Sequence, residues 1–231
     1  MAKIALIVGA GSGISAAFAR ALSADGYLVG LAARDTSKLA GLAQETGACL
    51  MQVDAADAAS VSALFAELDR RFARLDVVLY NASYRCRGAL LDLDPGEVKR
   101  SIEVSAYGGF LVGQQAAKRM LPQAEGAIFF TGASASVKGY AQSAPFAMGK
   151  FALRGLAQAM ARELQPRGIH VAHFVIDGGV ENAERGRATD PARPDSLLDP
   201  VAIAHTYMAV LKQPRSAWSL EVELRPWVER F

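Results

Sequence analysis

Short apolar runs of β type alternate with longer stretches of helical spacing along nearly the whole chain. Ile4–Val8, Tyr27–Ala32, Cys49–Val53, Val77–Tyr80, Ala127–Phe130, Ile169–Ile176 and Trp218–Leu224 predict strands. Ile14–Ala24, Thr36–Glu45, Ala58–Phe72, Pro95–Ser101, Val104–Met120, Ala144–Leu164 and Val201–Leu211 predict helices. The strand runs are apolar throughout instead of alternating, as in strands covered on both faces. Repeated βα units of this kind predict an α/β fold, with a parallel sheet sandwiched between helices. Residues 1–231 read as one domain. The pattern lapses only at 181–200, which is rich in Arg, Asp and Pro. A segment of that length after a strand's C-terminal end predicts a substrate lid or flexible loop.

Charge and composition remove several classes. The chain has 25 basic and 23 acidic residues, a formal net charge of +2. That balance offers no field for nucleic acid and no polybasic membrane segment. Lys3, the uncharged stretch Ile4–Ala19 and Ala17-Phe18-Ala19 imitate a secretory signal. Gly9, Gly11 and Gly13 lie inside that stretch and weaken a helix there, so a strand and a glycine-rich turn explain it better. A cytoplasmic protein is expected. Cys49 and Cys86 lack metal-ligand or redox spacing, so no metal is expected.

The turn Val8-Gly9-Ala10-Gly11-Ser12-Gly13-Ile14-Ser15 joins the first strand to the first helix. Its glycines allow the backbone to approach a pyrophosphate, which the helix N-terminus would then hold. On its own such a turn is equally compatible with a structural role. Arg34 follows the second strand, where the adenosine ribose would lie; an Arg there suits a 2′-phosphate and favours NADP(H) over NAD(H). Asp54, after the third strand, could accept from an adenine amino group or cap the next segment.

With these motifs in order, the chain resembles the short-chain dehydrogenase/reductase family along nearly its whole length. Gly9-xxx-Gly13 is similar to the family's glycine motif, with Gly11, Ser12 and Ile14 inside and after it. Asn81-Ala82 is similar to the second half of its Asn-Asn-Ala-Gly strand end, and Lys150 to the Lys of its Tyr-xxx-Lys pair. Asp177-Gly178-Gly179-Val180 is similar to its Pro-Gly turn. The resemblance implies a Rossmann-type doubly wound sheet, a nicotinamide cofactor, a small-molecule substrate, and a homodimer or homotetramer. In the family, that Lys lowers the Tyr pKa and holds the ribose hydroxyls of the nicotinamide half; with Phe at 146, the resemblance implies only the ribose role for Lys150.

The departures fall on the chemistry. Phe146 stands where the family has its Tyr, Ser105 where it has a catalytic Asn, and Ala133 where its Ser is expected; Ser134 is one residue away. Ser15, Ser83, Asp177 and Asn182 also replace family residues. A phenol can give a proton to a carbonyl oxygen and a phenyl ring cannot. Ser134, Ser136, Tyr140 and Tyr84 lie on loops that could face the nicotinamide, and each also reads as an ordinary loop residue. Arg85 and Arg87 flank Cys86 on one such loop and could hold an anion or lower the thiol pKa; a solvated loop is the simpler reading. His170 and His173 read as packing residues. Two functions follow: an NADP(H)-dependent oxidoreductase with an altered proton relay, or a catalytically weak NADP(H)-binding sensor or assembly partner.

Overall fold

A computed structural model describes residues 2–229. Seven strands, β1 (Ile4–Val8), β2 (Leu28–Ala33), β3 (Cys49–Gln52), β4 (Val77–Tyr80), β5 (Gly126–Thr131), β6 (Ile169–Ile176) and β7 (Glu221–Leu224), form one sheet in the order β3-β2-β1-β4-β5-β6-β7. Every neighbouring pair is parallel. Seven α-helices connect them: α1 (Ile14–Ala24), α2 (Ala40–Thr46), α3 (Ala58–Arg71), α4 (Pro95–Ile102), α5 (Gly108–Met120), α6 (Ala144–Leu164) and α7 (Pro200–Leu211). Strands are added outward in both directions from the β1–β4 pair, which makes this a Rossmann-type doubly wound sheet.

Alternation along each strand divides the core in two. Leu6, Tyr80 and Phe130 face one side, with Phe65 of α3, Val112 of α5 and Leu153 of α6. Ile7, Leu79 and Phe129 face the other, with Phe18 of α1 and Tyr207 of α7. Phe18 and Tyr207 meet edge to face at 5.4 Å and are fully buried. Burial of a ring like Phe18 contributes about 2–3 kcal/mol.

Most element boundaries match the sequence pattern to within a residue or two. Three differences have local causes. The expected helix Thr36–Glu45 opens as a 3₁₀ turn, Ser37–Leu39, because Asp35 accepts from the Ser37 backbone and hydroxyl and holds the chain out of α geometry. The two expected helices 95–101 and 104–120 are continuous through a π-helical turn, Glu103–Tyr107. There Tyr80 donates its hydroxyl to the Val104 carbonyl, and a Cβ on Gly108 would lie 2.3 Å from that hydroxyl. The expected strand Trp218–Leu224 is paired only over β7, since Trp218 instead stacks on His170 at 4.7 Å. The segment 181–200 carries two isolated bridges, Val180 with Leu198 and Asn182 with Arg187, around a 3₁₀ turn, Ala183–Arg185. Among the described residues, no helix is long and apolar enough to cross a membrane.

Candidate functional site

The C-terminal ends of the parallel strands lie on one edge of the sheet, and the loops that leave them build the site. The glycine turn after β1 is clasped from three sides. Gly9 has φ +83°, and a Cβ there would lie 2.3 Å from the Ala82 nitrogen, so only glycine fits. Asn81, at the end of β4, donates to the Gly9 carbonyl at 3.3 Å and to Ser15 Oγ at 2.8 Å. Ser15 donates to the same carbonyl at 3.2 Å, so the residue in place of the motif's last glycine anchors the turn. From the far side Asn182 hydrogen-bonds Ser12 at 3.2 Å, and its amide stands 3.1 Å from where a Gly13 Cβ would be.

This cradle fits a phosphate. No side chain caps α1, so its first amides keep their hydrogen-bonding capacity. Nothing lies within 4 Å of a Cβ placed on Gly11, so that side of the turn is open. At the end of β2, Asp35 is occupied by Ser37, while the exposed Arg34 side chain has no acidic partner among the described residues. Asp54 accepts from Ala56 N at 3.0 Å and so caps its own turn. Gly178 has φ +154°, with Pro226 against the position of its Cβ, and Val180 pairs with Leu198.

Phe146, on the first turn of α6, is buried, and two cations approach its ring. The Arg85 guanidinium lies over the ring at 4.2 Å, and Lys150 Nζ lies 5.8 Å from its centroid. Lys150 is 3% exposed and donates to the Thr131 carbonyl at 2.7 Å. Burial, with the Arg85 charge added, pushes its pKa down to about 7.

Most of the hydroxyls on the nearby loops already have partners. Ser105, in the π-helical turn, is buried and accepts from the Tyr84 backbone at 3.5 Å. Ser134 donates to Asp177, which also pairs with Lys138 and Arg225. Burial would raise the Asp177 carboxyl, but those partners hold it below its ordinary value. Ser136 accepts from Ala133 N at 3.1 Å and meets His173 Nε2 at 3.3 Å. His173 Nδ1 faces Glu221 at 3.1 Å; burial outweighs that carboxylate and pushes the imidazole below its ordinary value. Tyr140 is half exposed beside Lys138, and Tyr84 donates to Glu97.

The structure thus brings Gly9, Gly11, Ser12, Gly13, Ile14, Asn81 and Asn182 together at one end of the site. It gathers Lys150 and Phe146 with Arg85 at the other, and leaves Tyr140 at the rim. Sequence reading missed the Asn182 clasp and the Ser136–His173–Glu221 chain. The spacing along β6 placed His173 on a face but could not show what lies against it.

A glycine turn feeding an uncapped helix at the switch point of a doubly wound sheet defines a dinucleotide-binding α/β protein. A family model described as short chain dehydrogenase matches residues 3–189, and the chain belongs to that family. Trans-4-hydroxycyclohexanecarboxylate dehydrogenase of Sinomonas cyclohexanicum is 33% identical over 180 residues, which cover 73% of this chain and 69% of that protein. Among solved structures, a short-chain dehydrogenase from Rhodopseudomonas palustris superposes with a TM-score of 0.83 at 33% identity, over 97% of this chain and 99% of that one. An alcohol dehydrogenase from the archaeon Thermococcus sibiricus, complexed with 5-hydroxy-NADP, gives 0.87 at 27% identity, over 100% and 99%.

Proposed function

We propose that the protein is an NADP(H)-dependent oxidoreductase acting on a small carbonyl/alcohol pair through an altered proton relay. The observation that carries the reading is the clasped, uncapped glycine turn, with Arg34 free of any acidic partner among the described residues beside it. The backbone of Gly9–Ile14 holds the pyrophosphate. Arg34 holds the 2′-phosphate, Asp54 the adenine amino group, Asn81 the turn itself, and Lys150 the ribose hydroxyls. Gly178 and Val180 flank the nicotinamide end. The cofactor supplies the hydride. The neighbour crystallised with 5-hydroxy-NADP and the relative named for a hydroxycyclohexanecarboxylate support a nicotinamide cofactor and an alcohol–carbonyl pair.

The proton is this chain's own problem. Phe146 has none to give, and a guanidinium does not release one near neutrality. Lys150 stands beside the ring with a pKa of about 7, matched to acid catalysis at neutral pH. Lys150 therefore serves as the acid as well as the ribose anchor. The engaged hydroxyls favour a second reading, a cofactor-binding sensor or assembly partner of weak activity. The protein works as a homodimer or homotetramer in the cytoplasm, with 181–200 closing over the substrate.

Cofactor fluorescence titration tests the nucleotide assignment. NADPH should bind at least about tenfold more tightly than NADH, the scale of one charge-assisted contact. Equal affinities, or a preference that persists in Arg34→Asp, would refute it.

A further inference from the structure

The Arg85 guanidinium lies over the Phe146 ring, and Arg87 and Arg187 are near enough to add like charge to it. Arg85 leaves β4 and lays its head on the ring at 4.2 Å. The loop that carries it is tied to the loop before α6 by the Gly88 N–H donating to the Gln142 carbonyl at 3.2 Å. Arg87 is two residues on. Arg187 arrives from the other side of the site, on the bridge in which it and Asn182 exchange backbone hydrogen bonds of 2.8 and 3.0 Å. Asn182 in turn grips Ser12, so Arg187 is fixed relative to the glycine turn.

None of the three has an acidic partner among the described residues. The nearby carboxylates are spent elsewhere: Glu97 on Tyr84, Asp177 on Lys138 and Arg225, and Glu181 on Thr189. Arg85 as a residue is exposed, yet its head is partly withdrawn from water by the ring, and Arg87 and Arg187 repel it. Desolvation and those like charges lower its pKa, and its own charge helps lower that of Lys150. A site of uncompensated cations around an apolar ring is relieved by an oxyanion, which guanidinium forks hold in a bidentate manner.

We propose that Arg85, Arg87 and Arg187 form an oxyanion subsite over Phe146, and that the substrate is a small carbonyl or alcohol compound bearing a carboxylate or phosphate. Phe146 is the platform on which the Arg85 head is oriented, a use of position 146 that needs no phenol. This proposal deepens the oxidoreductase reading and rests on it for the carbonyl, though not for the anion.

Three matched probes test it: 4-formylbenzoate, 4-formylphenyl phosphate and neutral 4-formylbenzamide. Their binding is measured by calorimetry, with and without NADPH, and their reduction by NADPH consumption. NADPH titration of each variant separates loss of cofactor from loss of the anion. At least one anionic probe should bind about tenfold or more tightly than the amide, the scale of a charge-assisted pair. That preference should fall at least about tenfold in Arg85→Gln, and fall further when Arg187→Gln is added. Preference for the benzoate or for the phosphate identifies which oxyanion the subsite takes. Equal binding of all three probes, or a preference that survives both substitutions, overturns the proposal. Selective anion binding without turnover supports the subsite and sinks the oxidoreductase reading. Equal turnover of all three sinks the subsite and leaves that reading standing.

Discussion

Restoring a phenol at position 146 should create or raise carbonyl reductase activity. Phe146→Tyr adds one oxygen to a ring that is 6% exposed and already flanked by two cations. Arg85 and Lys150 lie 4.2 and 5.8 Å from its centroid. A unit charge about 4 Å away is worth about 4 kcal/mol at an effective dielectric of 20, which is about three pKa units. That pull opposes the rise that burial gives a phenol, whose unperturbed pKa is about 10. Lys150 is itself only partly charged at pH 7, so it and the phenol would titrate as a pair, each favouring the charged form of the other. Arg85 contributes a charge that does not titrate. A positioned acid contributes roughly 10²–10⁴ in rate. We expect at least a tenfold rise in NADPH consumption across a panel of ketones, aldehydes and quinones. Ala133→Ser should raise it further by placing a hydroxyl on the same developing oxyanion. A double variant that binds NADPH but reduces nothing on the panel faster than the natural protein would refute the reasoning. It would show a pocket shaped for something other than carbonyl reduction.

Two other perturbations bear on separate parts of the molecule. The unfolded chain keeps the Lys150 proton up to its ordinary 10.5, the folded chain only to about 7. Unfolding therefore takes up a proton between those values, so stability rises with pH through that window, and the full penalty, about 4–5 kcal/mol, is present below it. Lys150→Met should remove that rise in denaturant unfolding, and carbonyl reduction by the natural protein should slow above about pH 7; a stability difference between the two proteins that does not change from pH 7 to pH 10 would refute the buried-ammonium argument. The exposed side chains Tyr107, Phe110, Met148 and Phe151 leave an apolar face beside α5 and α6, whereas Leu153 is in the core. Light scattering at micromolar concentration should give a dimer or tetramer mass, and Phe110→Glu with Phe151→Glu should shift it toward monomer; a monomeric natural protein would refute the assembly.

The strands, the helices and their alternation were legible because each depends on short-range pattern: continuous apolar runs for doubly covered strands and 3.6-residue spacing for helices. The glycine turn was legible too, since a turn packed so close to Ala82 that a Cβ on Gly9 would lie 2.3 Å from its nitrogen leaves a glycine in the sequence as its trace. The absence of a phenol was legible as a single letter, Phe146. What fills the space around that ring was not. Arg85 and Lys150 are far apart in sequence, and their meeting at Phe146 depends on how the loop after β4 folds against α6 over one strand edge. The same holds for Asn182 on Ser12, a contact across 170 positions, and for Glu221 against His173. Periodicity fixes which face a side chain takes; only tertiary packing decides whether an opposite charge, a hydroxyl or water meets it there, and that sets its pKa. The sequence by itself determined a parallel sheet, a glycine turn at its first strand and a Phe at position 146. The folded chain alone decided that the Phe146 ring is bordered by a buried lysine and the Arg85 guanidinium.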